Sequence, residues 1–141
     1  MVKKLLVLVL IVFSTCILIS CKKKEAKYIS SVSEFDAILN ESIKYDIRST
    51  EDCEKGHIPT FSCMGGISDN KKLVDTILLT VTDKDKKIVI ISFGNDIDRL
   101  NEIFNLLIKE KYNNLFSFEG GYEKYAELKG SSFIPEEGCD C

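Results

Sequence analysis

Three groups of residues carry side chains that could do chemistry. The first is sulfur: Cys53 and Cys63 ten positions apart, a terminal "GCDC" holding Cys139 and Cys141, and Cys16 and Cys21 near the start. Thiolates are nucleophiles, disulfide partners and soft-metal ligands. The second is His57, the single histidine of the chain, a residue type whose charge changes near neutrality. The third is the loop "SFGNDI", Ser92 to Ile97, which follows the apolar run Ile88 to Ile91. In parallel α/β proteins the loop leaving such a strand holds ligands and mounts nucleophiles. A serine there needs an adjacent base to attack anything. No histidine flanks Ser92, and Asp96 and Asp98 make the loop acidic instead.

The sulfur groups support several outcomes. Cys53 and Cys63 are expected to pair and clamp the intervening loop; a buried free Cys53, or a reactive Cys63 displaced into the pocket of the Ser92 loop, are the alternatives. A direct bridge between Cys139 and Cys141 would be strained. That pair could bind a soft metal with further ligands, exchange disulfides, or tie the tail back onto Cys53 and Cys63. The last is expected. Two thiolates without a histidine partner argue weakly for zinc, so neither a metal nor a cofactor is expected. Four cysteines allow three full pairings, and the sequence does not choose among them.

The start of the chain supplies the compartment. Lys3 and Lys4 precede Leu5 to Ile19, an almost wholly apolar segment too short for the ~20 residues of a membrane span. This is the layout of a secretory signal over residues 1–20. Its end, "LISC" (Leu18 to Cys21), resembles the lipobox of bacterial lipoproteins, which implies lipidation at Cys21 and an extracytoplasmic, membrane-anchored protein of the cell envelope. Cys16 fits less well, because Thr15 precedes it and the apolar run continues past it. Export would put the remaining cysteines where disulfides persist. Losing residues 1–20 removes two lysines and no acid, so the formal charge of −3 becomes −5. An acidic body argues against nucleic acid as a partner.

The elements that must position these groups follow from periodicity. Residues 21–28, with "KKKEAKY", read as a charged tether that could touch anionic headgroups. A helix is expected from Ser33 as N-cap, with Asp36 three residues on as a variant capping box and Phe35, Ile38 and Leu39 as its apolar face. "IKYDIR" reads as a strand, "STEDCEKG" as a helical turn stopped by Gly56 in left-handed conformation, and "HIPTFSCMGGISDN" as a loop. Leu73, Val74, Ile77, Leu78 and Val81 recur at helical spacing, as do Leu100, Ile103, Phe104, Leu107 and Ile108. "NNLFSFEGG" gives a strand and a turn at Gly120 and Gly121, and "YEKYAELK" a last helix. Alternating strands and helices imply an α/β fold with a mainly parallel central sheet flanked by helices. Residues 129–141 fall outside the periodic core.

Three segments, in order, resemble rhodanese-like domains. "YDIRSTEDCEKGHIP" is similar to that family's Asp-Val-Arg and Gly-His-Ile-Pro stretch, "IVIISFGNDIDR" to its active-site strand, loop and helix, and "FSFEGGYEKY" to its closing Leu-Glu-Gly-Gly motif. The likeness spans roughly residues 29–128. It implies the rhodanese fold, with Asp46, Arg48, Gly56, His57, Gly120 and Gly121 as scaffold. It also implies a binding loop of Ser92, Phe93, Gly94, Asn95, Asp96 and Ile97.

In active members of that family the strand ends in a cysteine that carries sulfur as a persulfide, held by loop N–H groups and a helix N-terminus. Ser92 occupies that cysteine's position here. A hydroxyl cannot form a sulfur–sulfur bond, and Asp96 and Asp98 would repel thiosulfate; Arg99 lies past the loop. The expectation is a rhodanese fold without rhodanese chemistry, acting as a binding or scaffolding module for a protein or small-anion ligand. The alternative is a sulfurtransferase or thiol-redox enzyme using Cys63 or the Cys139/Cys141 pair.

Overall fold

The run Lys87–Ile91 forms β4, a central strand, and its side chains explain why it sits there. Ile88, Val89, Ile90 and Ile91 are all fully buried, so both faces of the strand must be covered. Ile88 and Ile90 point into one apolar layer, Val89 and Ile91 into the other, as the two-residue strand period requires. The structure is a computed structural model describing residues 24–139.

The elements in chain order are β1 (Lys27–Ile29), α1 (Val32–Leu39), β2 (Ser42–Asp46), α2 (Thr50–Lys55), β3 (Ser62–Cys63) and α3 (Asn70–Thr80). After β4 come α4 (Ile97–Lys109), β5 (Leu115–Phe118), α5 (Gly121–Lys129) and a 3₁₀ turn (Gly130–Ser132). The sheet order is β1-β5-β4-β2-β3, and every pairing is parallel. Helices α3 and α4 cover one face through Leu73, Ile77, Ile103 and Leu107. Helices α1 and α5 cover the other through Phe35 and Tyr125, which meet Phe118 edge-to-face at 5.1 and 5.3 Å between ring centroids and each other at 5.4 Å. The expected parallel sheet flanked by helices is the observed one.

Several local expectations need correction. The first helix is capped by Ser31, not Ser33: Ser31 Oγ accepts from Glu34 N–H at 3.4 Å. Asp36 is not part of a capping box, because its carboxylate accepts from Tyr125 Oη at 2.6 Å and Lys129 Nζ at 2.9 Å, tying α1 to α5. The sheet begins at Lys27, inside the segment expected as tether, because Lys27 to Ile29 pair with Phe116 to Phe118. Gly56 does end α2, but in extended backbone (φ 164°) rather than left-handed. The tail after Lys129 also packs. Phe133 stacks edge-on against Tyr122 and Tyr125, and Glu136 forms a two-way backbone pair with His57 at 2.9 Å.

Helix α3 begins at an aspartate cap, with Asp69 Oδ1 accepting from Lys72 N–H at 2.9 Å. Asp69→Ala is expected to cost about 1 kcal/mol, read as a lower urea midpoint at unchanged denaturant slope. Among the described residues no helix is long and apolar enough to cross a membrane. The expected signal over residues 1–20, the lipidation candidate Cys21, and Cys141 lie outside the described residues.

Candidate functional site

A parallel sheet delivers every strand's following loop to one rim, and the residues singled out by chemistry gather there. Ser92 follows β4 directly and is buried. Its hydroxyl donates to Asp96 Oδ2 at 2.8 Å. That bond occupies the carboxylate of Asp96, which is the N-cap of α4 yet makes no side-chain cap bond. The loop closes on itself through Asp96 N–H donating to Phe93 O at 3.1 Å. Gly94, Asn95 and Ile97 are exposed and Phe93 is half-buried.

The loop is held from α5 as well. Tyr122 N–H donates to Ser92 O at 3.0 Å, and Gly94 N–H donates to Glu123 Oε2 at 3.1 Å. A backbone donor of this loop, the kind of group that elsewhere receives an anion, thus already has a carboxylate of the same chain. The close approach needs glycine: a Cβ on Gly94 would lie 2.4 Å from Gly120 O. Gly120 and Gly121 both have positive φ, 84° and 74°, the backbone that a sharp strand-to-helix turn requires and that glycine adopts without penalty.

Arg99 is not available to this loop as a cation. Its Nε donates to Asn70 Oδ1 at 3.0 Å, Nη1 to Ile47 O at 3.1 Å and Nη2 to Ile67 O at 2.9 Å. It bolts α4 to the segments after β2 and β3, with Asp96 Oδ2 only at 3.9 Å. Beside the loop lies a cleft of about 880 Å³ lined by Phe93, Asn95, Glu119, Glu123, Glu127 and Leu128, among others. Among the described residues that line it, Lys124 is the single cation.

Asp46 and Arg48 form a buried pair at the end of β2. Arg48 Nη2 reaches Asp46 Oδ2 at 2.6 Å and Gly56 O at 2.8 Å, while Nε donates to both carboxylate oxygens. The guanidinium carbon lies 3.5 Å from the ring centroid of Tyr122, a cation–π contact. Burial holds the Tyr122 phenol above its ordinary range, partly opposed by the Arg48 charge. The pair is therefore scaffold that connects the strand end, the end of α2 and the start of α5.

His57 faces the cysteines rather than the Ser92 loop. It is buried, and its Nδ1 donates to Cys53 O at 3.0 Å, since a carbonyl only accepts. Cys63 Sγ lies 3.9 Å from the same nitrogen, and Glu136 Oε2 lies 3.7 Å from Nε2. Cys63 lies within disulfide reach of both Cys53 and Cys139, with Cα–Cα separations of 5.9 and 6.1 Å. Cys53 and Cys63 stand at disulfide distance, as the expected clamp requires, and the tail brings Cys139 beside Cys63. One donor atom each from Cys53, His57 and Cys63 falls within 4.8 Å of the others, a set that could hold a metal ion.

Sequence reasoning missed Glu123, Tyr122 and Glu136. The first two stand in the first turn after the double glycine, a position that the strand-to-helix turn aims back at the loop. Glu136 had no periodic signal to place it.

A family model described as "Rhodanese-like domain" matches residues 31–128. Among solved structures, the Alr3790 protein from Anabaena sp. superposes with a TM-score of 0.60 at 19% identity, over 77% of this chain and 81% of that one. A rhodanese-related protein from Thermoplasma volcanium gives 0.56 at 17% identity, over 72% and 92%. EanB, seen with a cysteine persulfide and ergothioneine, gives 0.58 at 15% identity, over 79% of this chain but 28% of its own. No curated protein matches the chain. The matched span runs from the cap of α1 almost to the end of α5 and contains the Ser92 loop, the Asp46–Arg48 pair and the double glycine, though not Glu136 or Cys139, so the chain belongs to the rhodanese-like domain family.

Proposed function

We propose that this rhodanese-like domain is a lipid-anchored binding module of the bacterial cell envelope that does not transfer sulfur. In this reading Ser92 takes the place of the family's persulfide cysteine. The observation that carries it is the state of the loop: the Ser92 hydroxyl is committed to Asp96 and the Gly94 N–H to Glu123. Two carboxylates therefore stand where an incoming anion and a thiolate would need positive potential. The acids lining the adjacent cleft extend that field and favour a protein segment over a small anion as ligand. Anchoring rests on "LISC" at the end of the apolar leader, with Cys21 as the acylated residue.

Sulfur transfer from thiosulfate to cyanide tests the reading. The native protein should release thiocyanate at background rate, as should Ser92→Cys alone. Adding Asp96→Asn and Glu123→Gln to Ser92→Cys should strengthen thiosulfate binding about tenfold, since removing a like charge at close range is worth about 1.4 kcal/mol or more. Normal turnover by the native protein would refute the functional reading. A triple variant no tighter than its parent would refute the electrostatic one. Mass analysis of the mature N-terminus checks acylation at Cys21.

A further inference from the structure

We propose that Cys53, Cys63 and Cys139 form a thiol–disulfide exchange centre, with Cys63 as the shared sulfur and Cys139 as the solvent-side one, acting on small or peptide disulfides and dithiols. This gives a specific form to the thiol-redox alternative and does not depend on how the Ser92 loop is read. Its basis is that Cys63 has two partners within reach. Cα–Cα separations of 5.9 Å to Cys53 and 6.1 Å to Cys139 both fall in the ordinary disulfide range of about 4.4–6.8 Å. A sulfur atom makes one disulfide bond, so either pairing leaves a third sulfur beside it. Thiol–disulfide exchange needs that arrangement of a thiolate next to a disulfide.

The backbone keeps the third sulfur in place in either state. The tail is held by His57 N–H to Glu136 O, Glu136 N–H to His57 O, and Gly138 N–H to Glu54 O at 2.8–2.9 Å. Thr60 N–H also donates to Glu136 Oε2 at 2.9 Å. None of these bonds involves sulfur, so breaking the bond between Cys63 and Cys139 does not release Cys139. Exposure is graded. Cys53 is fully buried, while Cys63 and Cys139 are half-exposed. Both line a cavity of about 280 Å³ with His57, Thr60, Phe61 and Glu136, among others. A metal in this cluster would compete with the bond that His57 Nδ1 makes to Cys53 O, which favours sulfur exchange as the chemistry.

The steps balance. From the reduced protein, the Cys139 thiolate attacks an external disulfide, forming a mixed disulfide and expelling one external thiolate. The Cys63 thiolate then attacks Cys139 Sγ, forming the Cys63–Cys139 bond and expelling the second. The Cys53 thiolate attacks Cys63 Sγ, breaking that bond and returning Cys139 as a thiolate. In sum Cys53 and Cys63 give up two electrons and two protons, and the external disulfide becomes two thiols. With an external dithiol the sequence runs in reverse.

The test oxidises the reduced full-length chain with oxidised glutathione, followed by acid quench, alkylation and peptide mapping over time. The expected course is Cys63–Cys139 first and Cys53–Cys63 after it. Cys139→Ser should form the inner bond at least tenfold more slowly, whereas Cys141→Ser should match the native chain. Cys53→Ser should stop at Cys63–Cys139. Because Cys53 is buried and that variant could fail to fold, the Cys139→Ser comparison stands as the independent arm. Absence of Cys63–Cys139 at every time point, its replacement by a Cys139–Cys141 pair, or a Cys139→Ser variant oxidised at the native rate would overturn the proposal.

Discussion

Arg48→Met is expected to destabilise the domain by about 3–5 kcal/mol, because it leaves the Asp46 carboxylate buried without its cation. Asp46 is fully buried and Arg48 is 4% exposed, so water cannot compensate for either. Two further interactions go with the charge. Gly56 O loses its donor at the end of α2, and Tyr122 loses the guanidinium against its ring at 3.5 Å. Urea unfolding of the native and variant chains gives the difference directly. The double variant Asp46→Asn with Arg48→Met should recover more than about 1 kcal/mol of that loss. It removes the stranded charge, and the Asn side-chain oxygen can still accept the bond that Asp46 Oδ1 takes from the residue 48 N–H at 3.0 Å. A loss under about 1 kcal/mol for Arg48→Met would show that the pair does not hold the strand end.

Gly121→Ala should cost about 3 kcal/mol and loosen the Ser92 loop. Its φ of 74° alone accounts for about 1–2 kcal/mol on adding a Cβ. That Cβ would also stand 2.6 Å from both Gly94 N and Ser92 O, and 2.8 Å from Phe93 C. These are backbone atoms that cannot swing aside, so overpacking adds about 1–3 kcal/mol. Relief requires the loop to move off α5, which breaks the bond from Tyr122 N–H to Ser92 O and the bond from Gly94 N–H to Glu123. Gly130→Ala provides the control: φ is also positive, at 55°, but nothing lies within 4 Å of its Cβ. It should lose about 1–3 kcal/mol from backbone strain alone, since φ 55° with ψ −137° lies outside the left-handed helical well. Amide exchange at Gly94 separates the two variants, rising in Gly121→Ala and unchanged in Gly130→Ala.

The sheet was legible because its signal is local and repeated. Ile88 to Ile91 read as a strand, and the spacing of Leu100, Ile103, Phe104 and Leu107 read as α4, since burial imposes those periods. The ordered motifs around Asp46, Arg48 and the double glycine were legible too, and the family model spans them. What escaped was long-range and polar. Asp36 looked like a capping residue, but its partners, Tyr125 and Lys129, lie about ninety residues away. Arg99 read only as a cation lying past the loop; its engagement by three acceptors from distant segments was not legible. The tail after Lys129 has no repeat of its own. Its docking depends on Phe133 meeting Tyr122 and Tyr125 and on the backbone pairing of Glu136 with His57. None of that is encoded in spacing.

Because all five strands run the same way, the sheet has two unlike rims. β1 enters from one of them, and the loops after β2, β3 and β4 leave from the other. A lipid on Cys21 would connect to Lys27 through the five residues Lys22 to Ala26, a leash of about 17 Å at full stretch. The entry rim would then be held towards the bilayer. The Ser92 loop, the acidic cleft and the sulfur cluster would look outward, open to whatever diffuses past the membrane rather than to the lipid beneath.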